Sequence, residues 1–261
     1  VLREPDLGTS LVFLAVWVGM VFWYGIPGIL LLGSGSAVLS AVIMLYSESQ
    51  KFAAPWAVYI LILIAILYFI DMNILSKVVL LFINVGFGLG IPFFWGKLKP
   101  YQQERILTFF DPSRDEFGTG YQAIQSKVAI GSGGLFGTHY LQGTQKGLAF
   151  LPERHTDFIF SVVGEELGFV GAIALLGLFL LILLRGIDCA GSARRPFASF
   201  VAVGVVSYFT FHVVVNVSIT TGLLPVTGLP LPMISYGGSN LLTSSILLGL
   251  LLNVSSRTFD D

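Results

Sequence analysis

The strongest candidate for a catalytic residue in the sequence is Asp157. It ends the polar string LPERHTD at 151–157 and stands directly before the apolar residues 158–160. A carboxylate at such a boundary loses part of its hydration, which suits the group to general-base catalysis. A structural role is the alternative, because Asp is also a preferred N-cap that accepts hydrogen bonds from the free amides of a helix start. The two roles are compatible.

Several cations accompany this carboxylate. Arg154 and His155 stand next to it in the sequence, and cations beside a carboxylate suggest a site for an anionic ligand. The same polar stretch holds further basic side chains, namely Lys97, Lys99, Arg105, Lys127 and Lys146. With the amides of the glycine-rich run at 131–137 they could bind a phosphate or pyrophosphate, although a flexible turn has the same composition.

Two more carboxylates follow in the next apolar segment. Glu165 and Glu166 lie two to three turns beyond Asp157, about 12 Å along a straight helix. Ionisable residues at such a depth face a cavity or a polar partner, so a ligand contact and a structural ion pair are equal alternatives.

Polar side chains also occur in the last two apolar segments. Ser235 and Ser239 are candidates for lining the outer mouth of a cavity, although the adjacent Gly-Gly pair could instead serve close helix packing. His212 and Asn216 are four residues apart and share one helix face, which favours an interhelical hydrogen-bond pair over ligands.

The composition decides what kind of protein must position these groups. Of 261 residues, 55% are apolar and only 11% are charged, and the mean hydropathy is +0.85. Because soluble domains carry roughly 25% charged residues, an ordinary cytosolic enzyme is excluded. The net charge of −1 and the absence of a basic tract exclude a nucleic-acid binder, and the single cysteine excludes an internal disulfide. The sequence predicts an integral membrane protein.

Seven apolar stretches approach the length of about 20 residues that a membrane helix needs. They are 10–24, 28–46, 56–70, 74–94, 158–184, 197–221 and 231–254. None of them alternates as a barrel strand would, so the predicted fold is all-α, a polytopic bundle forming a single membrane domain over 1–261.

Lys and Arg in the short connections predict the orientation. Arg185, Arg194 and Arg195 mark the link between the fifth and sixth segments as cytoplasmic. The stretch 95–157 then lies outside as a long extracytoplasmic loop, and Tyr121, Ile124 and Val128 recur within it at the spacing of a short amphipathic surface helix. The three polar clusters therefore gather at the outer face.

Six motifs in order resemble one protein family. They are PDLGT at 5–9, QSKVAIGSGG at 125–134, GTQ at 143–145, LPERHTDFIF at 151–160, GEELG at 164–168 and PLPMISYGGS at 230–239. They resemble the SEDS family of bacterial cell-wall polymerases. Arg154 and the GTQ motif look more like its elongation branch, RodA, than its division branch, FtsW. Because family members have about ten membrane helices, the resemblance implies an N-terminally incomplete ten-helix protein.

The resemblance implies a peptidoglycan glycosyltransferase of the bacterial inner membrane that polymerises lipid II at the outer face during cell elongation. The essential aspartate of the family's HTD motif corresponds to Asp157. The implied partners are lipid II, membrane lipids and a class B penicillin-binding protein, and a divalent cation (Mg or Mn) assisting the pyrophosphate is a further expectation. We expect Lys127, Lys146 and Arg154 to neutralise the pyrophosphate, with Arg105 a weaker candidate.

Two other functions fit parts of the pattern. A lipid II flippase would use the same bundle and the same cationic mouth, but a transporter should place its polar residues near the membrane midplane. A scaffold for other wall enzymes would need neither an intramembrane acidic pair nor a structured loop of this size. The clustering of polar residues at one face favours the enzyme.

Overall fold

The structure, a computed structural model, describes residues 7–25, 28–49, 54–111, 115, 118–138 and 156–256. The regular secondary structure in these ranges is helical, which confirms the all-α prediction. The helices are α1 (Leu7–Trp23), α2 (Gly28–Ser49), α3 (Ala54–Phe69), α4 (Ile74–Trp95), α5 (Pro100–Phe110), α6 (Thr119–Ser132), α7 (Ile159–Ser192), α8 (Pro196–Thr221) and α9 (Gly238–Ser256).

The apolar helices match the predicted membrane segments. Helices α4, α7, α8 and α9 are long and apolar enough to cross a membrane, and α1, α2 and α3 contain shorter apolar stretches. The chain is a multi-pass membrane protein. The last helix begins at Gly238 and not at 231 as predicted, because two prolines and a chain of turns fill 230–237. Helix α5 was not predicted, whereas the short helix expected around Tyr121 is α6.

The chain divides into two compact units, and the single membrane domain predicted from the sequence stays a prediction. One unit comprises Val1–Tyr24 and Asp111–Asp261, and the other comprises Gly25–Phe110. Asp157 and most of the predicted site residues belong to the first unit, whereas Arg105 lies on α5 in the second.

Helix α8 is the central element of the first unit. It packs against α1, α6, α7 and α9, and half of its most apolar window is buried, compared with 11% for α7 and 22% for α9. Pro196 begins the helix and Gly222 ends it in the left-handed conformation. Phe158 and Ile219 are both fully buried in the core beside its carboxyl end.

Helix α7 is interrupted near its start. Gly168 has φ 68° and ψ −167°, which no helical residue adopts, so the chain breaks direction there. The segment that carries Glu165 and Glu166 therefore precedes the break. Because the break follows both carboxylates, it does not alter the depth of about 12 Å estimated for them, which stays a prediction.

The second unit is a bundle of α2, α3 and α4 around a buried amide. Asn84 is fully buried and donates to Ser36 Oγ at 3.0 Å, while its Oδ1 accepts from the Tyr59 hydroxyl at 2.9 Å. Ser40 Oγ donates to the Asn84 carbonyl at 2.8 Å and accepts from Trp56 Nε1 at 3.0 Å. Such a satisfied polar network fixes the register of helices that are otherwise uniformly apolar.

Candidate functional site

Asp157 lies in the turn that leads into α7. The N-cap position of α7 is occupied by Phe158, and Asp157 precedes it by one residue, so a capping role for Asp157 stays a prediction. Its side chain is half-buried and Phe158 is completely buried. Asp157 thus adjoins the packed core without being fully buried itself.

The carboxylate of Asp157 lies over a glycine of another loop. A Cβ placed on Gly228 would be 3.5 Å from Asp157 Oδ2. Gly228 has φ +76°, a conformation that side-chain-bearing residues rarely adopt. The loop between α8 and α9 therefore brings bare backbone against the acid.

Two side chains hold the backbone beside this carboxylate. Asn216 Nδ2 donates to the Asp157 carbonyl at 2.8 Å and to the Leu229 carbonyl at 2.8 Å. Ser235 Oγ donates to the Thr156 carbonyl at 2.6 Å and accepts from the Leu231 amide at 2.7 Å. The hydroxyl of Ser235 is thus engaged on both sides, and its predicted contact with substrate stays a prediction.

A cavity of about 660 Å³ opens beside Gly228, between α1, α8 and α9. Its lining runs along α1 from Thr9 to Met20, roughly 16 Å at the usual helical rise. One end is polar, lined by Thr9, His212, Ser239, Asn240 and Thr243, and the other is apolar, lined by Met20, Val201, Leu247 and Leu250. Among the described residues that line it, none is charged. Ser239 reaches the cavity as predicted.

His212 gives the polar end a hydrogen-bond acceptor. Its Nδ1 lies 3.0 Å from the Pro230 carbonyl, and because a carbonyl only accepts, Nδ1 carries the proton. In the neutral ring Nε2 is then an acceptor. The ring packs against Tyr208 with 4.3 Å between the centroids and 38° between the ring planes, which restricts its orientation.

Of the predicted cations, the structure describes Lys97, Lys99, Arg105 and Lys127. Lys127 is on α6, and its side chain passes over Gly222 at the carboxyl end of α8, where a cation complements the helix dipole. Ser126 beside it is buried and donates to the Thr220 carbonyl at 2.7 Å, which fixes α6 on α8. Lys146, Arg154 and His155 lie outside the described residues.

The glycine-rich run is a packing surface. A Cβ on Gly133 would collide with the Gly164 carbonyl, and one on Gly137 with the Glu166 carbonyl. The Gly133 amide donates to the Ala129 carbonyl of α6 at 3.3 Å, and the Gly137 amide donates to the Gly133 carbonyl at 2.8 Å. These contacts favour the structural alternative at the two glycines.

Glu165 and Glu166 belong to α7 and are buried where this helix packs against the run. Their side chains are 1% and 7% exposed, and neither is without an interaction partner. The Glu165 carbonyl accepts from the amide and the hydroxyl of Thr138 at 3.0 and 3.1 Å. Neither glutamate lines the described cavity.

The sequence interpretation missed the contacts that α8 and the loop before α9 make with the turn at Asp157. The spacing of His212 and Asn216 predicted an interhelical hydrogen-bond pair. In the structure their printed hydrogen bonds go instead to backbone carbonyls of the 229–230 loop and of Asp157. The PDLGT motif at 5–9 already contained Thr9, whereas no signal indicated Gly228, because its contact with Asp157 joins distant segments. Within the described ranges, no group of three His, Cys, Asp or Glu side chains could hold a metal ion, so no divalent-cation site is assigned.

Comparisons with known proteins agree with this architecture. A family model for FtsW, RodA and SpoVE, described as a cell cycle protein, matches residues 53–259. The chain is 36% identical over 284 residues to the peptidoglycan glycosyltransferase RodA of Treponema pallidum, covering 98% of this chain and 65% of the relative. It is 37% identical to a probable peptidoglycan glycosyltransferase FtsW of Trichlorobacter lovleyi, covering 98% and 54%.

A solved structure is also similar. One chain of a peptidoglycan synthase complex superposes with a TM-score of 0.50 and 28% identity, covering 97% of this chain and 98% of that one. The RodA relative supports the elongation branch, and the FtsW relative matches at comparable identity. The chain spans less than two thirds of the length of these two relatives. Since the family model covers most of its length, the chain belongs to the FtsW, RodA and SpoVE family, the SEDS proteins.

Proposed function

We propose that this protein is a peptidoglycan glycosyltransferase that polymerises lipid II into glycan strands. The observation that carries the proposal is the Asp157 carboxylate, which lies over Gly228, a residue that lines an apolar cavity with one polar end. Relatives of the same family are named as peptidoglycan glycosyltransferases. A lipid-linked sugar needs both an acid–base group and an apolar groove, and here the two are neighbours.

The cavity suits the lipid part of the substrate. Its lining is mostly apolar and uncharged, and its length of roughly 16 Å accommodates several isoprene units of an extended chain. Burying such a chain contributes about 25 cal/mol per Å² of apolar surface. The polar end would then receive the group at the head of the lipid, beside Asp157.

The proposed reaction uses Asp157 as the general base. The acceptor sugar hydroxyl oxygen forms a bond to the anomeric carbon of the donor, and the bond from that carbon to the pyrophosphate oxygen breaks. The hydroxyl proton passes to the Asp157 carboxylate, and the lipid pyrophosphate leaves as an anion. A positioned base contributes about 10²- to 10⁴-fold to such a step, because a neutral hydroxyl is a poor nucleophile.

Cations are needed where the pyrophosphate charge grows. Gly222, which Lys127 covers, follows Asn216 by six residues, about 9 Å along the axis of α8. Lys127 is therefore at the same end of α8 as Asp157, which supports its proposed role in neutralising the leaving group. Lys146, Arg154 and His155 remain proposed ligands of the same group.

Partner and location follow from the same proposal. We place the protein in the bacterial cytoplasmic membrane with Asp157 facing outward. We place beside it a class B penicillin-binding protein that crosslinks the new strands, because the similar solved chain belongs to a complex that coordinates polymerization and crosslinking.

The flippase alternative is disfavoured by the distribution of polar groups in the cavity. A transporter opens a polar site to each side in turn near the midplane, whereas Thr9, His212, Ser239, Asn240 and Thr243 line one end only. The two functions differ in detergent, where no bilayer separates two compartments. Glycan synthesis by solubilised protein would support the enzyme and contradict a function limited to transport.

The decisive variant is Asp157→Asn, which keeps the size of the side chain and removes the base. Purified full-length protein with this change is expected to fold as the wild type does and to lose lipid II polymerisation by at least about 100-fold. The measurement is the glycan product formed in detergent from labelled lipid II. Glycan synthesis at a rate near that of the wild type would show that Asp157 is not the base.

A further inference from the structure

The backbone at Asp157 is held by a side chain from the central helix. Asn216 is fully buried on α8, and its Nδ2 donates to the Asp157 carbonyl and to the Leu229 carbonyl, both at 2.8 Å. Because carbonyls only accept, the amide nitrogen must face them, and the orientation of the side chain is settled. One NH₂ group therefore joins three segments, namely α8, the turn before α7 and the loop before α9.

The buried side-chain amide of Asn216 reduces the stability of the fold. Asn216 Oδ1 is buried and finds no hydrogen-bond partner among the described residues. An unsatisfied buried acceptor costs about 1–3 kcal/mol, which a leucine of similar size would avoid. Packing alone therefore does not account for an asparagine here, and its two donated hydrogen bonds are the feature that requires it.

The two carbonyls flank the pair of groups that form the candidate site. One belongs to Asp157 itself, and the other belongs to Leu229, next to Gly228, over which the Asp157 carboxylate lies. Asn216 thus fixes the distance between the backbone of the acid and the glycine that borders the cavity. A reacting group displaced by about 1 Å can lose roughly 100-fold in rate.

We propose that Asn216 is a positioning residue that holds the Asp157 carboxylate at the polar end of the cavity. The inference rests on the proposed function, since it assigns Asn216 a role through Asp157. It predicts that loss of the two donors slows the chemical step while the substrate still binds, because Asn216 does not itself line the cavity.

The test is Asn216→Leu, with Asn216→Ala as a second variant that avoids overpacking. In the full-length protein in detergent, each is expected to lower kcat for lipid II polymerisation by about 10- to 100-fold and to change KM by less than about threefold. The matched control is Thr220→Val, one turn further on α8. Thr220 is also fully buried, but its hydroxyl bonds to the Asn216 and Val217 carbonyls of its own helix. The control is expected to keep the wild-type kcat.

Each outcome decides the matter. If folded Asn216 variants keep kcat, if KM rises while kcat holds, or if Thr220→Val loses as much, the positioning role is overturned. If neither Asn216 variant can be recovered folded while Thr220→Val can, Asn216 is structural and the proposal is overturned as well. If the wild-type protein itself makes no glycan, the proposed function fails, which is a distinguishable result.

Discussion

At the scale of single residues, two serines of one motif have different environments. Ser235 is 6% exposed and bridges the Thr156 carbonyl and the Leu231 amide, whereas Ser239 is exposed and lines the cavity. The same role was predicted for both serines, since both belong to one motif. Their contacts separate them, because only Ser235 connects the turn at Asp157 to the loop before α9.

The serine pair gives a matched prediction. Ser235→Ala leaves a buried carbonyl and a buried amide without this partner and is expected to reduce the free energy of unfolding by about 1–3 kcal/mol. Ser239→Ala should leave stability within about 0.5 kcal/mol of the wild type and raise KM for the lipid substrate. Thermal unfolding in detergent and steady-state kinetics measure the two effects. Equal destabilisation by both changes would contradict this assignment.

At the scale of elements, the end of α6 and the break in α7 pack backbone against backbone. Gly133 meets the Gly164 carbonyl, and Gly168 meets the amide of Gly137. The Phe169 amide donates to the Gly134 carbonyl at 2.9 Å, so the run satisfies groups that the break in α7 leaves open. The glycines are needed because backbone approaches backbone on both sides.

Substitutions of two glycines test this close backbone packing. Gly133→Ala places a Cβ against the backbone carbonyl of Gly164, which cannot move aside as a side chain can, and is expected to cost about 1–3 kcal/mol. Gly131→Ala meets open space within α6 and should be neutral or stabilise by up to about 1 kcal/mol. Thermal unfolding of the two variants side by side is the measurement. Were Gly133→Ala as stable as Gly131→Ala, the close packing would be refuted.

At the scale of the whole molecule, the first unit has two distinct ends. Trp23 donates to Ser199 Oγ at 2.9 Å where α1 ends and α8 begins, and the polar lining of the cavity lies at the opposite end of both helices. Arg194 and Arg195 connect α7 to α8 at the Ser199 end. By the positive-inside rule we expect that end to face the cytoplasm.

Cysteine labelling tests this orientation. The native Cys189 is buried and free, so it gives little background. A membrane-impermeant maleimide added to intact cells is expected to label Tyr236→Cys, at a position 81% exposed in the loop before α9. Arg194→Cys, in the link between α7 and α8, should label only after the membrane is permeabilised. The reverse pattern would invert the topology and place Asp157 inside the cell.

The sequence by itself determined the class of the protein, its helices and its strongest catalytic candidate. Composition excludes a soluble surface, and apolar length predicts membrane helices, because both depend on local properties of the chain. Asp157 could be singled out since its neighbours along the chain, polar before and apolar after, already define its boundary. The start of α9 was misplaced because apolar content alone does not register the turns between Pro230 and Gly238.

Only the tertiary structure decided what surrounds Asp157. Asn216 follows it by 59 residues and Ser235 follows Thr156 by 79 residues, and each reaches the turn before α7 only when α8 and α9 have packed. Gly228 and the cavity are likewise produced by segments far apart in the chain. Local sequence carries no signal for such contacts, because a hydrogen bond to a backbone carbonyl leaves no mark on the type of the residue that accepts it.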